Sequence, residues 1–502
     1  MPNSAFGYIM YAWRRHAHTR RATLKGAFMK QAFNPFLPLG EYIPDGEPHV
    51  FGDRVYLFGS HDRAGGTSFC INDYVCWSAP ADDLKSWRYE GVIYRRGQDP
   101  LNSDGSHALF APDVCRGPDG RYYLYYALDF VSVISVAVCD TPAGEYKFYG
   151  HVHFKDGHVL SSRAGEPYAF DPGVLCEGEN VYLYMGYCPY PPRHPMEVPK
   201  TYTHAWVYKL APDMLTIEGE GRPVAPSCSN SAGTGFEGHE FFEASSIRKA
   251  EGRYYFIWSS YYGHELCYAI SESPEGPFEF GGTIISNGDI GMGGIIDEND
   301  CNNYIGNNHG SIEKIGGRWY VFWHRHTNGT SFSRQACAEE IKIMPDGAIP
   351  QVEMTSCGLN GGPLYGLGEY PAAIACNLKS GGGTRRGDIP HGGAHPYITQ
   401  DGEDGDSSAV QYIANLKEGA LCGFKYFNGA GADKISVVIR GTARGYFVVS
   451  DGNKDIAKIE LTPSAEWKKF CAPLAAREGI FPLYFTFRGE GYADFLSFEL
   501  QR

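Results

Sequence analysis

Five copies of one short pattern recur along the first two thirds of the chain. Each copy is a turn rich in glycine and polar residues, followed by a strand rich in aromatic residues. One four-stranded antiparallel sheet with its loops fits between consecutive copies, and serial repetition of such sheets is typical of a β-propeller. The equivalent aromatic residues are Tyr56, Tyr123, Tyr182, Tyr255 and Tyr320. We therefore predict an all-β chain that begins with a five-bladed β-propeller.

A second repeated feature precedes each turn, where a short apolar strand starts with a polar residue. The innermost strand of a propeller blade lines the central channel, so equivalent positions at its start converge on one mouth of that channel. A single acid at such a place can be an ordinary turn residue or strand cap. Five equivalent polar residues around one axis instead favour a functional site. They are Asp45, Asp113, Asp171, Glu243 and His309.

The length of the chain predicts two domains, because 502 residues exceed one ordinary core. The repeat stops near residue 350, and a polar stretch rich in glycine follows. We assign 31–355 to the propeller. Dense alternation of short strands in 356–502 predicts a β-sandwich that resembles a carbohydrate-binding module. The basic segment 1–30 is expected to be a disordered extension or the product of a misassigned start codon.

Composition narrows the class of ligand. A formal net charge of −14 argues against a nucleic-acid partner, whereas 14% aromatic residues suit a neutral sugar. The 14 cysteines form no CxxC pair, which argues against a zinc site or a disulfide scaffold. No stretch is long and apolar enough to span a membrane, and no apolar segment of a secretory signal follows the basic start. We expect a cytoplasmic protein with no membrane partner, whose partner is an oligosaccharide or polysaccharide substrate.

The acids at the starts of the inner strands suit hydrolysis of a glycosidic bond. That reaction needs one carboxylic acid to protonate the departing oxygen and a second carboxylate to activate water or attack the anomeric carbon. Glu243 follows two phenylalanines, and apolar surroundings and neighbouring acids raise the pKa of a carboxyl. It is the candidate general acid, and Asp45 is the candidate base, with Glu47 competing for that role. Asp113 is expected to hold the acid in place and to tune its pKa.

Other residues are candidates for contact with the sugar. Phe110 and Trp77 are stacking platforms or parts of the blade core. Arg334 is expected to bond a sugar hydroxyl or a carboxylate, unless it is an unpaired surface arginine. Asp171 heads an inner strand and Phe242 adjoins the acid, so both are assigned to substrate binding.

His309 lies among asparagine and serine residues at the predicted channel axis. It is either a hydrogen-bonded structural histidine or a ligand for a cation, bound directly or through water. Calcium suits the oxygen-rich surroundings. No organic cofactor is expected.

Together these residues resemble glycoside hydrolase family 43. The resemblance runs from about Asn34 to Gly358 and rests on the motifs YIPDGEP, FAPDV, FFEASS, NNHGS and SRQ. It implies an inverting single displacement with Asp45 as general base, Asp113 as pKa modulator and Glu243 as general acid, and a channel cation, often calcium, near His309. It also implies arabinose- or xylose-containing substrates. The end of the chain is similar to a family 6-like carbohydrate-binding sandwich.

Two features depart from the family pattern. Asp45 precedes Gly46 where proline is usual, and Phe110 stands where tryptophan is frequent. The first leaves the identity of the base open, and the second predicts altered stacking on the substrate.

The predicted function is an inverting glycoside hydrolase that removes terminal arabinofuranosyl or xylosyl residues, of the α-L-arabinofuranosidase or β-xylosidase type. Three alternatives stay open at this point. The first is an endo-arabinanase. The second is another propeller glycosidase directed at galactans or fructosides, the latter with a retaining mechanism. The third is a sugar-binding protein without catalysis.

Overall fold

The computed structural model describes residues 30–189, 200–384, 393–406 and 408–502. Ala32–Arg502 form one compact unit. Within the described ranges the regular structure is β-sheet, with short 3₁₀ turns, and this confirms the all-β prediction. The prediction for segment 1–30 falls almost wholly on residues outside the described ranges. The 3₁₀ turns are Arg96–Gln98, Pro100–Asn102, Gly358–Asn360 and Ala372–Ile374.

The first two sheets are four-stranded antiparallel blades whose strands follow chain order. Blade 1 consists of β1 (Glu47–Phe51), β2 (Arg54–Phe58), β3 (Tyr74–Pro80) and β4 (Arg88–Tyr94). Blade 2 consists of β5 (Asp113–Arg116), β6 (Tyr122–Leu128), β7 (Val131–Cys139) and β8 (Lys147–His151).

The next three sheets repeat the arrangement with variations at the outer edge. Blade 3 contains β9 (His153–Phe154), β10 (Gly173–Glu177), β11 (Asn180–Met185), β12 (His204–Leu210), β13 (Thr216–Ile217) and β14 (Arg222–Pro226). Blade 4 contains β15 (Phe241–Ala250), β16 (Arg253–Ser260), β17 (Glu265–Ser271) and β18 (Glu279–Ser286). Blade 5 contains β19 (Ser311–Ile315), β20 (Arg318–Thr327) and β21 (Thr330–Ile341).

The five inner strands β1, β5, β10, β15 and β19 close into a ring, because each packs against the next and β19 packs against β1. Each is joined to the second strand of its blade by the predicted turn. The five repeated tyrosines all lie on those second strands. The five-bladed propeller is therefore confirmed, and the starts of the inner strands meet around one axis.

The propeller ring is closed by the start of the described chain. The Phe36 amide donates to the Ala336 carbonyl on β21. The Asn34 side chain donates to the Ala338 carbonyl at 3.0 Å and accepts from the Ala338 amide at 2.9 Å. An early segment thus extends the three-stranded blade 5, which covers the edge of that sheet.

Two six-stranded sheets form the rest of the chain. One sheet runs β22-β27-β32-β29-β30, with β24 also paired to β27, and the other runs β25-β26-β33-β28-β31, with β23 also paired to β33. The strands are β22 (Leu364–Tyr365), β23 (Gly368–Pro371), β24 (Asn377–Lys379), β25 (Tyr397–Asp401), β26 (Val410–Leu416), β27 (Leu421–Asn428), β28 (Lys434–Gly441), β29 (Arg444–Ser450), β30 (Asp455–Leu461), β31 (Ser464–Pro473), β32 (Ile480–Glu490) and β33 (Ala493–Gln501).

Buried phenylalanines fill the space between these two sheets. Phe424, Phe447 and Phe485 come from one sheet and Phe495 and Phe498 from the other, and their rings contact one another. The two sheets therefore share one core, as in a sandwich. The predicted boundary at 355–356 falls between β21 and β22 and stays a prediction, since both parts belong to one compact unit. No helix within the described ranges has the length and apolarity of a membrane span.

Candidate active site

A cavity of about 310 Å³ lies where the inner strands of the propeller begin. Most of the side chains that the sequence singles out line it, although they come from different blades. Those that line it are Asp45, Phe110, Asp171, Phe242, Glu243, His309 and Arg334. The ring of inner strands thus brings together residues separated by up to 289 positions in the chain.

Local backbone bends aim the acids into this cavity. Asp45 and Asp171 adopt left-handed backbone angles, with φ of 57° and 43°, just before β1 and β10. Ala244, directly after Glu243, has a φ of 70°, and the pairing of β15 with β16 shifts register around Glu243. Such strained positions and bulges re-aim side chains and concentrate at functional sites.

Asp45 is held in its ionised form. Burial alone would raise its pKa, but the Arg334 guanidinium, together with His324 and His309, outweighs burial and holds the pKa of Asp45 well below its usual range. Arg334 Nη1 donates to Asp45 Oδ1 at 2.9 Å. The Asp45 amide also donates to His324 Nδ1 at 3.3 Å, which fixes the backbone beside the carboxylate.

Arg334 is fixed by a second carboxylate, that of Asp62. Arg334 Nε donates to Asp62 Oδ2 at 2.8 Å and Nη2 donates to Asp62 Oδ1 at 3.0 Å, a bidentate pair. Both side chains are almost fully buried. The pair orients Nη1 toward Asp45, so the guanidinium bridges two carboxylates.

Glu243 has the opposite character. Burial and the nearby charge of Asp45 raise its pKa to about 8, with Arg334 opposing the shift. A carboxyl with such a pKa carries its proton at neutral pH. Asp45 and Glu243 therefore differ in protonation although they line the same cavity, which is the arrangement that acid and base catalysis requires.

Asp171 is electrostatically coupled to Glu243. Burial and then the charge of Glu243 raise its pKa. Asp171 Oδ2 accepts from the Ala244 amide at 3.0 Å, so Asp171 is tied to the residue next to Glu243. The two carboxyls titrate as one interacting pair.

Asp113 is not among the residues that line the cavity. Its Oδ1 lies 2.6 Å from His49 Nε2, and its Oδ2 accepts from the Val174 amide at 2.7 Å. Although burial opposes the shift, the His49 ring lowers the pKa of Asp113. The Asp113 carboxylate turns toward His49 and Val174, whereas Asp171 is the carboxyl that contacts the residue next to Glu243.

Trp77 and Glu47 both lie outside the cavity lining. Trp77 is not a cavity residue: its Nε1 donates to Glu41 Oε2 at 2.9 Å, and its ring packs against Tyr89 in blade 1. Glu47, the competitor of Asp45, is also outside the cavity lining and pairs with Arg248 at 2.7 Å. Of the two acids, only Asp45 is positioned to meet a ligand in this cavity.

Much of the aromatic wall was not predicted from the sequence. Phe69, Tyr168 and Tyr187 lie outside the repeated segments, so periodicity gave no signal for them. Phe130 is 70% exposed at the tip of the β6–β7 hairpin and has a φ of 58°. The other lining residues that were not assigned to the site include Cys70, which follows Phe69, and Phe170, Asn307, Asn308 and His324, which lie within the repeated segments. Aromatic faces and amides of this kind suit the C–H face and the hydroxyls of a sugar ring.

The channel beneath the cavity holds a second polar cluster. His309 Nε2 lies 4.0 Å from Glu47 Oε1, and that buried oxygen has no hydrogen-bond partner. Ligand atoms of Glu47, His49 and Asp113 lie within 4.8 Å of one another. Calcium takes six to eight ligands and prefers oxygen. Glu47 Oε1 offers one oxygen and His309 Nε2 one nitrogen, so the site fits a cation whose remaining ligands are water.

The chain is similar in sequence to several known proteins. The sequence model of glycosyl hydrolases family 43 matches residues 34–349. A xylosidase/arabinosidase of Thermoclostridium stercorarium is 54% identical over 476 residues, covering 94% of this chain and 99% of that protein. A xylosidase/arabinosidase of Bacteroides ovatus is 27% identical over 348 residues, covering 63% and 97% of the two chains.

One solved structure among the similar ones is a β-xylosidase/α-arabinofuranosidase from a compost microbial metagenome, in complex with xylotriose and in a calcium-free form. It is 24% identical, covers 62% of this chain and 95% of its own, and has a TM-score of 0.48.

Proposed function

The chain belongs to glycosyl hydrolases family 43, and from this membership we propose that it removes terminal xylosyl or arabinofuranosyl residues from oligosaccharides or polysaccharides with inversion of configuration. The observation that carries the proposal is the pairing of unlike carboxyls in one cavity. Asp45 is kept ionised by Arg334, while burial keeps Glu243 protonated, with a pKa of about 8.

In the proposed mechanism Glu243 donates its proton to the glycosidic oxygen as the bond from the anomeric carbon to that oxygen breaks. Asp45 takes a proton from a water molecule, whose oxygen forms the new bond to the anomeric carbon from the opposite face. The products are a free sugar of inverted configuration and the shortened glycan alcohol. Afterwards Glu243 is ionised and Asp45 is protonated, and exchange with solvent restores both groups.

We propose that Asp171, rather than Asp113, tunes the acid. Its bond to the Ala244 amide supports this role, as does the electrostatic coupling of its carboxyl to Glu243. The bond to the Ala244 amide fixes the backbone next to Glu243 and so orients the acid for proton transfer. Asp113 then acts on the fold of the channel through His49.

Removal of one terminal residue at a time is supported by the size of the cavity. About 310 Å³ is at the small end of the range for ligand sites, which suits a single sugar ring with part of its neighbour. Phe110 and Phe242 line this space and are the proposed contacts for the ring. Both xylose and arabinose are proposed, because the two relatives are xylosidase/arabinosidases.

We also propose that calcium binds beneath the cavity through His309 Nε2 and Glu47 Oε1. When bound, it would supply positive charge below the ionised carboxylates. Titration of the EDTA-treated protein with calcium in a calorimeter tests this, with His309→Gln as the matched variant. Binding to the wild type that His309→Gln abolishes is the expected result, and equal heats for the two proteins would exclude the site.

The activity is tested by a screen with aryl β-xyloside, aryl α-arabinofuranoside and aryl galactofuranoside, alongside polymeric arabinan and xylan. We expect turnover of the first two, lost in Glu243→Ala and in Asp45→Ala while the fold is retained. Glu460→Ala is the control, since Glu460 is exposed on β30 and pairs with Lys458 of the same strand. Unchanged hydrolysis in both active-site variants would refute the assignment. The carbohydrate-binding role of the sandwich and the cytoplasmic location stay predictions.

A further inference from the structure

One wall of the cavity is a long loop between β2 and β3, here called the cavity loop (61–72). Phe69 and Cys70 of this loop line the cavity. The Phe69 ring packs edge-on against Phe332, with centroids 4.6 Å apart, and lies 4.9 Å from the Arg334 guanidinium carbon. The loop thus forms part of the sugar site and also covers the arginine that holds Asp45.

A carboxylate from the C-terminal sandwich binds this loop. Asp404, in the turn between β25 and β26, accepts from the Ala64 amide at 2.8 Å through Oδ1. Its Oδ2 accepts from Asn72 Nδ2 at 3.4 Å, and Arg63 Nε lies 3.7 Å from the same oxygen. Asp404 therefore contacts both ends of the segment that carries Phe69.

A second polar contact joins the sandwich to the segment that leads to Asp45. Gln411 Nε2 on β26 donates to Tyr42 Oη at 2.8 Å, and Tyr42 Oη donates to Gln400 Oε1 on β25 at 2.7 Å. Tyr42 lies three residues before Asp45. Gln335 Nε2, next in sequence to Arg334, lies 3.2 Å from Gln411 Oε1. The sandwich thus contacts the chain on both sides of the Asp45–Arg334 pair.

The cavity loop lacks regular secondary structure, so its shape depends on these anchoring bonds. Within the propeller, Asp62 Oδ1 accepts from the Cys70 amide at 2.9 Å, and the Gly66 amide donates to Ser333 Oγ at 3.3 Å. Asp404 supplies the further, charged anchor at Ala64. A bond to a charged acceptor is stronger than a neutral one.

We propose that the C-terminal sandwich contributes to the active site through Asp404. Asp404 is a positioning residue: it holds the cavity loop, and with it the Phe69 side chain that forms one wall of the cavity (the Phe69 wall), in place for the sugar. This inference rests on the proposed glycosidase function. It assigns the sandwich a role in substrate affinity that requires no sugar-binding site of its own. Asp404 acts on KM through the wall, because it touches neither Asp45 nor Glu243.

The test compares Asp404→Ala, Asp404→Asn and the control Glu460→Ala in the full chain. We expect Asp404→Ala to raise KM about tenfold with kcat changed less than about twofold. Asp404→Asn retains an oxygen that can accept from the Ala64 amide, so its KM should rise much less than that of Asp404→Ala. The KM of Glu460→Ala should match that of the wild type. An unchanged KM in Asp404→Ala would overturn the proposal.

A double-mutant cycle with Phe69→Ala separates positioning from general destabilisation. If Asp404 acts through the wall, Asp404→Ala should add little to the KM of Phe69→Ala. If Asp404→Ala raised KM tenfold in the Phe69→Ala variant as well, the proposal would be contradicted.

Amide hydrogen exchange of the substrate-free protein gives a readout that does not depend on activity. We expect residues 63–72 to exchange faster in Asp404→Ala than in Glu460→Ala. Equal exchange would overturn the proposal even if the wild type hydrolyses glycosides. A wild type without turnover would refute the proposed function alone.

Discussion

Arg334 Nη1 donates to Asp45 Oδ1 at 2.9 Å, while Nε and Nη2 of the same guanidinium donate to the Asp62 carboxylate. This relationship decides the charge of the cavity. Burial would otherwise keep Asp45 protonated, and two neutral acids would have no base between them. Arg334 therefore turns a cluster of similar carboxyls into an ionised one facing a protonated one.

Replacement of Arg334 by methionine should raise the pKa of Asp45, because the cation that opposes burial is lost. The acidic limb of the kcat/KM profile should move to higher pH, and kcat/KM at neutral pH should fall by about 100-fold or more. Circular dichroism must show a retained fold, since Asp62 loses its partner. An acidic limb at the wild-type position in the folded variant would contradict the role of Arg334.

Activity should decline as pH rises through about 8, the pKa of Glu243, because only its protonated form donates to the leaving oxygen. The wild-type profile of kcat/KM measures this limb. Aryl glycosides with very acidic leaving groups need little protonation, so Glu243→Gln should retain far more activity on them than on xylan oligosaccharides. Equal losses on both kinds of substrate would argue against Glu243 as the acid.

Asp171→Asn should lower kcat about tenfold or more, because the substitution disturbs the bond that Asp171 Oδ2 accepts from the Ala244 amide, next to Glu243, and removes the carboxyl that is coupled to Glu243. Asp113→Asn is the matched variant, and it should change kcat much less while lowering Tm through loss of its bond with His49. The reverse outcome, a lower kcat in Asp113→Asn alone, would restore our original assignment.

Phe130 is exposed at the mouth of the cavity, where a second sugar ring would lie. Phe130→Ala should raise KM for xylo-oligosaccharides about three- to tenfold, the loss of one stacking contact. KM for aryl monoglycosides should change less. Tyr89→Ala, at an exposed aromatic residue outside the cavity lining, is the control. Equal effects of Phe130→Ala on both substrates would rule out a second-sugar platform.

The fold was predictable because a repeat imposes its own symmetry on the structure. Once Tyr56 and its equivalents mark one strand per blade, the positions of the preceding strands follow, and with them the convergence of Asp45, Glu243 and His309. Strand-start position alone gave no way to rank Asp113 against Asp171. That difference depends on backbone bends of a few residues, which turn Asp171 toward Ala244 and Asp113 toward His49.

The rest of the site depends on contacts that no periodicity reports. Phe69 and Phe130 belong to loops, and Asp62 reaches the site only through Arg334. Asp404 contacts a loop 340 positions earlier in the chain, across the junction of propeller and sandwich. Such long-range pairings arise from tertiary packing of particular side chains, so they become visible only in the folded molecule.

Stereochemistry tests the central claim most directly, because Asp45 as a base acting on water and Glu243 as an acid commit the reaction to a single displacement. Proton NMR of the first product formed from an aryl β-xyloside, recorded before the free sugar equilibrates, reads the configuration. We predict that α-xylose appears first. β-Xylose as the first product would mean that a carboxylate attacks the sugar, and the assigned roles of Asp45 and Glu243 would be wrong.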